Sequence, residues 1–219
     1  MKSDLLASRI QRFRDMDLYP VVSPEFTLGR SVPEVVEAIA RGGAKIVQLR
    51  VKNSTDLELL RLAEECRRIT ADYNMLLMID DRVDIALACG ADGVHVGQED
   101  MPVTEVRRIA PDLLVGCSTH NPEEAAQALR DGTGCFNIGP IYPTQTKNVA
   151  YGAVGPEMIS RIAPMARDVP FSVMGGIKAR HIPDLIRAGA KHIAMVTEIT
   201  AAPDIEAKVR ELRALFRQA

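Results

Sequence analysis

Seven short segments of the chain end in side chains that could hold an anion or a hard metal ion. QLRVK places Gln48, Arg50 and Lys52 at alternate positions, hence on one side of an extended segment. IDD supplies Asp80 and Asp81, GQED supplies Gln98, Glu99 and Asp100, and LLVGCSTH ends in Ser118 and His120. GPIYPTQTK carries Thr144, Thr146 and Lys147, VMGG ends in Gly175-Gly176, and MVTE ends in Thr197-Glu198. Arg50 and Lys52 suit a cationic clamp on phosphate, Arg as a fork and Lys as a point charge, or else they pair with neighbouring acids. Asp81 and Asp100 suit a Mg²⁺ held through one or two carboxylates plus substrate phosphate, or else they cap helices. Oxygen-only donors favour Mg²⁺ over zinc, and no Cys/His set has metal spacing. Side-chain-free backbone at Gly175-Gly176 lets N–H groups approach a phosphate before a helix, or simply serves a turn. The Thr197 hydroxyl could join the same anion.

Other candidates read as structural. His95 sits between Val94 and Val96 as a packed histidine, and His181 and His192 read as surface or packing residues. His120 follows Ser118 by two residues, but no fixed acid partner for a triad is apparent. Met75, Met78, Met174 and Met195 are expected in the core.

All seven segments follow short apolar runs, and the runs alternate with longer amphipathic stretches from residue 18 onward. Strands are expected at 18–22, 45–50, 75–80, 92–96, 113–118, 135–139, 170–175 and 192–196, each apolar on both faces as in a buried parallel sheet. Helical patterns fill the intervals, with Gly42, Gly90, Gly132 and Gly189 expected as C-caps. Eight strand–helix units predict one closed (β/α)₈ barrel, an α/β fold whose site lies at the carboxyl ends of the strands. Residues 1–17 form a short N-terminal extension to that single domain. An open doubly wound sheet is the runner-up, but eight units in 219 residues favour closure.

Bulk composition bounds the function class. With 27 Lys+Arg against 29 Asp+Glu, the net charge is −2, which removes the electrostatic case for nucleic acid or an anionic membrane. No apolar run approaches the roughly 18 residues needed to span a bilayer. The opening segment is charged throughout and lacks a signal peptide's apolar region, and the four cysteines form no CxxC. A cytoplasmic protein acting on small molecules is expected, with its oligomeric state left open.

With these residues placed, residues 18–200 resemble thiamine phosphate synthase. The most specific pieces are GQED at 97–100 and GPIYPTQTK at 139–147, in order with QLRVK, the double Asp and the paired glycines. The resemblance implies a Mg²⁺-dependent (β/α)₈ transferase joining a pyrimidine diphosphate to a thiazole phosphate with release of diphosphate. It implies that Gln48, Arg50 and Lys52 hold the pyrimidine diphosphate, with Asp80, Ser118 and Lys147 beside it. Asp81 and Asp100 would bind Mg²⁺, and Thr144, Thr146, Gly176, Val196 and Thr197 would receive the thiazole phosphate. Arg50, Lys52 and Lys147 are the expected catalytic cations.

Four positions depart from the family pattern. Asp80 replaces a usual Asn; a carboxylate cannot donate to diphosphate, so it is expected to join the Mg²⁺ shell or to weaken diphosphate binding. Val51 stands where an acid is common, Met174 where a smaller residue is usual, and Thr197-Glu198 where Ser-Ala is common. Glu198 thereby puts a carboxylate beside the expected phosphate site. A non-catalytic relative that binds thiamine precursors is the alternative. A thiazole tautomerase relative would need a histidine where this chain has Pro140, and an aldolase would need a lysine inside a strand.

Overall fold

The computed structural model describes residues 3–146 and 152–217. The eight expected strands are present as β1 (Leu18–Val22), β2 (Ile46–Leu49), β3 (Leu76–Asp80), β4 (Gly93–Val96), β5 (Leu114–Thr119), β6 (Cys135–Ile138), β7 (Phe171–Val173) and β8 (His192–Met195). Each pairs in parallel with the next, and β8 returns to β1, so the sheet closes into a barrel. Helices α1 (Asp4–Arg14), α2 (Val32–Arg41), α3 (Asp56–Asp72), α4 (Val83–Ala88), α5 (Val103–Ile109), α6 (Pro122–Arg130), α7 (Glu157–Ala166), α8 (Ile182–Arg187), α9 (Thr197–Thr200) and α10 (Ile205–Phe216) complete the chain. Capping boxes start α2 and α3, where Ser31 and Thr55 exchange hydrogen bonds with Glu34 and Glu58.

Two apolar cores follow from the two faces of the sheet. The outer and larger one lies between strands and helices. The inner one fills the amino-terminal half of the barrel with Tyr19, Ile46, Leu76, Leu114 and Cys135 from the strand starts. Side chains alternate along a strand, so the same inward parity continues upward through Gln48, Asp80, His95, Ser118 and Asn137. Apolar residues therefore seal the lower barrel, while polar ones at the same parity line its upper mouth.

The closure at the bottom comes from the N-terminal extension. Ser3 caps α1 by accepting the Leu6 N–H at 3.1 Å, and the helix buries Leu6, Ile10 and Phe13 against the inner core. The Phe13 ring meets Tyr19 and His192 edge-on at 5.8 and 5.3 Å. At the helix rim, Asp92 accepts from Arg67 at 2.7 Å, while Arg9 lies 3.5 Å away.

The expected C-caps need one correction. Gly90, Gly132 and Gly189 adopt the left-handed backbone that such caps use, but Gly42 does not: its φ is −66°, and Gly43 takes the turn at +88°. A Cβ on Gly42 would instead strike Val209, so this glycine serves the contact between α2 and α10.

Candidate active site

A cavity of about 530 Å³ opens at the carboxyl ends of the strands. Gln48, Arg50, Lys52, Asp80, Asp81, Ser118, Thr144, Thr146, Gly176, Val196 and Thr197 all line it. Asp100 lies just behind that wall, its carboxylate accepting the Gly97 N–H at 2.7 Å. Lys147 falls outside the described residues. Strand ends drawn from β1 to β8 thus converge on one space, as a closed barrel requires.

Asp80 organises the β2–β3 side. Its Oδ1 accepts from Gln48 Nε2 at 2.6 Å, and its Oδ2 lies 2.9 Å from Lys52 Nζ and 3.6 Å from Arg50 Nε. Lys52 also contacts the Asp81 carboxylate. Both readings of Arg50 and Lys52 therefore meet: the cations pair with acids, and those acids belong to the same cavity. Burial works against the Lys52 charge, but Asp80 and Asp81 outweigh it and hold the ammonium above its ordinary pKa. Arg50 is steadied further by Ser23, whose Oγ accepts from its Nη1 at 3.4 Å.

Asp81 has a left-handed backbone, φ +59°, a conformation uncommon outside glycine and tolerated best by Asp and Asn. Its N–H donates to the His95 carbonyl at 2.8 Å, fixing the turn off β3. Burial raises the Asp100 pKa; the Gly97 N–H opposes this, and the neighbouring Asp81 carboxylate adds to it. Two like-charged carboxylates side by side, with only oxygen donors, fit a hard divalent cation. Among the described residues no group of three or more His, Cys, Asp or Glu forms a closed metal cage. Two carboxylates of this kind could hold a divalent ion that keeps waters and shares a substrate phosphate.

His95 is buried, as expected of a packed histidine, yet it also lines the cavity. Its Nε2 lies 3.0 Å from Ser118 Oγ. His120 does have an acid partner, Glu124, 2.7 Å from its Nδ1, whereas the Ser118 hydroxyl is engaged by His95. Neither contact was legible from spacing alone. The usable signal was strand parity, which puts His95 and Asn137 on the inward face with Gln48 and Asp80. Of the four methionines expected in the core, Met75, Met78 and Met195 are buried and Met174 is half-buried, and both Met174 and Met195 also line the cavity.

The paired glycines have a structural reason of their own. Gly175 and Gly176 have φ of +100° and +62°, and a Cβ on them would come within 2.4 Å of Pro140 and 2.3 Å of the Pro143 carbonyl oxygen. The segment after β6 docks there: Ile141 N–H donates to Met174 O at 2.8 Å and Tyr142 N–H to Gly175 O at 3.0 Å. The glycines thus let the 140–143 segment close one wall of the cavity, while Gly176 still faces the space. Thr144 and Thr146 follow on that segment, their hydroxyls 3.0 Å apart.

Comparison with known proteins bears on this arrangement. The family described as thiamine monophosphate synthase matches residues 18–199. A thiamine-phosphate synthase of Chloroflexus aurantiacus is 42% identical over 201 residues, covering 92% of this chain and 93% of its own length. One from Shouchella clausii is 39% identical over 203 residues, covering 92% and 97%. Among solved structures, a thiamine phosphate pyrophosphorylase from Pyrococcus furiosus superposes with a TM-score of 0.87 at 30% identity, covering 95% of this chain and 98% of that one.

Proposed function

Because the chain belongs to the thiamine monophosphate synthase family, we propose that its strand-end cavity joins a pyrimidine diphosphate to a thiazole phosphate, giving thiamine phosphate and diphosphate. The observation that carries this reading is the gathering of Gln48, Arg50 and Lys52 at one side of a single cavity and Gly176, Val196 and Thr197 at the other. Two anionic groups need two such ends. The reacting carbon and nitrogen then meet between them, with proximity in place of a protein nucleophile.

In the reaction, the bond from the pyrimidine methylene to the diphosphate oxygen breaks, and its electron pair leaves with the diphosphate. The thiazole nitrogen lone pair forms the new C–N bond and becomes the cationic ring nitrogen of the product. No proton changes hands. The electron-rich aminopyrimidine tolerates the cationic methylene, so the protein's task is to stabilise charge on the leaving group. Arg50 and Lys52 do this from the segment that follows β2, and Lys147 would join them. Gln48 and Ser118 orient the pyrimidine diphosphate, while Thr144 and Thr146 hold the thiazole phosphate with the β7–β8 groups. Asp81 and Asp100 would hold Mg²⁺, which when bound adds positive charge to the departing diphosphate.

No helix among the described residues is long and apolar enough to cross a membrane. The balanced charge supports small substrates rather than a polyanion, and a cytoplasmic setting belongs to the same proposal. Incubation with both substrates and Mg²⁺, followed by mass analysis, tests the reading. Wild type should form thiamine phosphate, and Asp81→Ala should lose it by at least about a hundredfold if the ion stabilises the leaving group. Binding of both ligands without product would favour the non-catalytic alternative.

A further inference from the structure

A lysine and a glutamate at the β7–β8 end of the cavity wall have no part in that scheme. Lys178 follows β7 and the paired glycines, Glu198 follows β8, and both line the cavity beside Gly176 and Thr197. Lys178 Nζ lies 3.2 Å from Glu198 Oε2. The other carboxylate oxygen, Oε1, accepts the Ala179 N–H at 3.1 Å. Lys178 is tied down at its backbone as well, its N–H donating to His181 Nδ1 at 3.1 Å. Glu198 is therefore a bracket: one oxygen is fixed to the chain after β7, and the other holds the ammonium.

The charge layout gives this bracket a purpose. Arg50 and Lys52, on the β2 side, are already matched by Asp80 and Asp81. On the β7–β8 side, Lys178 is the one Lys or Arg among the described lining residues; its cavity neighbours there are backbone, hydroxyl and apolar groups, with Glu198 as the acid. A phosphate monoester carries nearly two negative charges at neutral pH, and hydrogen bonds from a cation to it are about twice as strong as neutral ones. An ammonium has three donors, so Lys178 can keep Glu198 and still reach an anion. Its side chain is 42% exposed, and ion pairs at such positions are weak and readily rearranged. The carboxylate that sequence comparison marks as a threat to phosphate is thus already engaged.

We propose that Lys178 is the cation that binds the phosphate monoester at the β7–β8 end of the cavity, and that Glu198 is a positioning residue that holds its ammonium at the rim. The inference rests on the reading that this end receives the thiazole phosphate.

Steady-state kinetics of the intact protein test it. Lys178→Met should raise KM for the thiazole phosphate by about tenfold, with kcat and KM for the pyrimidine diphosphate within about twofold, as loss of one charge-assisted contact predicts. Lys178→Arg should restore most of the affinity. The effect should vanish with the thiazole alcohol, which lacks the phosphate. Glu198→Gln should raise the same KM less; a fall would show that Glu198 repels the phosphate and would overturn its positioning role. Unchanged KM in Lys178→Met, with only a lower Tm, would reduce the pair to a loop tie and overturn the proposal. Absence of product from wild type would instead sink the functional reading. Titration of inorganic phosphate into protein saturated with diphosphate and Mg²⁺ then still reports on Lys178: weaker binding in Lys178→Met sustains it, equal binding overturns it.

Discussion

Asp80 shows how one side chain sets the state of a whole subsite. Its carboxylate touches Gln48, Arg50 and Lys52, the three residues expected to hold diphosphate, so the clamp comes with its own counter-charge. Diphosphate must replace that carboxylate or bind beside it, and a divalent ion would offset the repulsion. Asp80→Asn should therefore bind inorganic diphosphate in the absence of Mg²⁺ about tenfold more tightly than wild type, some 1.4 kcal/mol, by isothermal titration. Equal affinity would show that the carboxylate does not compete. The alternation of Gln48, Arg50 and Lys52 was legible because strand period is local. The reach of Asp80 to them was not, because it depends on the register of β2 against β3, with Gln48 beside Met78 and Leu49 beside Ile79. For the same reason His95 reads as packing between two valines until the barrel closes and turns it inward.

Among the elements, α1 closes the lower end of the barrel, and the 140–143 segment forms one wall of the cavity that opens at the other. Phe13 is fully buried between Tyr19 and His192, and the helix meets the inner core with three residues one turn apart. Phe13→Ala should lower unfolding free energy by about 3–5 kcal/mol in denaturant titration, while KM values of the folded fraction stay put. Loss of activity without loss of stability would contradict a purely structural helix. That helix was hard to read because its apolar stripe is narrow and most of its surface is charged or polar. At the opposite end, Gly176→Ala brings a Cβ to 2.3 Å from the Pro143 carbonyl and forces a left-handed residue. It should disturb the Thr144–Thr146 wall, and raise KM for the thiazole phosphate more than that for the pyrimidine diphosphate. The eight strands were legible because each is apolar on both faces, a pattern that parallel barrels demand.

For the molecule as a whole, burial in the lower barrel disfavours charge on the ionisable groups it encloses. Burial lowers the His192 pKa, opposed in part by the Met16 carbonyl 2.8 Å from Nδ1. The unfolded chain therefore takes up a proton below about pH 6.5 that the folded chain refuses, so this contribution to stability is complete above that pH and is lost as pH falls toward the folded pKa. Wild-type Tm should drop between about pH 7 and pH 5.5, and His192→Gln should flatten that slope although it lowers Tm at neutral pH. Parallel slopes would refute the assignment. The four thiols are buried likewise, with Cys117 pushed up to about 11 and Cys66 to about 12 by burial. A thiol reagent at neutral pH should label them only as fast as the barrel opens.

On this reading one cavity has a diphosphate end beside β2–β3 and a monoester end beside β7–β8. A crystal structure grown with thiamine phosphate, diphosphate and Mg²⁺ reads it directly. Diphosphate should lie against Gln48, Arg50 and Lys52, the metal on Asp81 and Asp100, and the monoester over Gly176 and Thr197 beside Lys178. Both anions crowded at one end, or a metal bound away from Asp81, would contradict it.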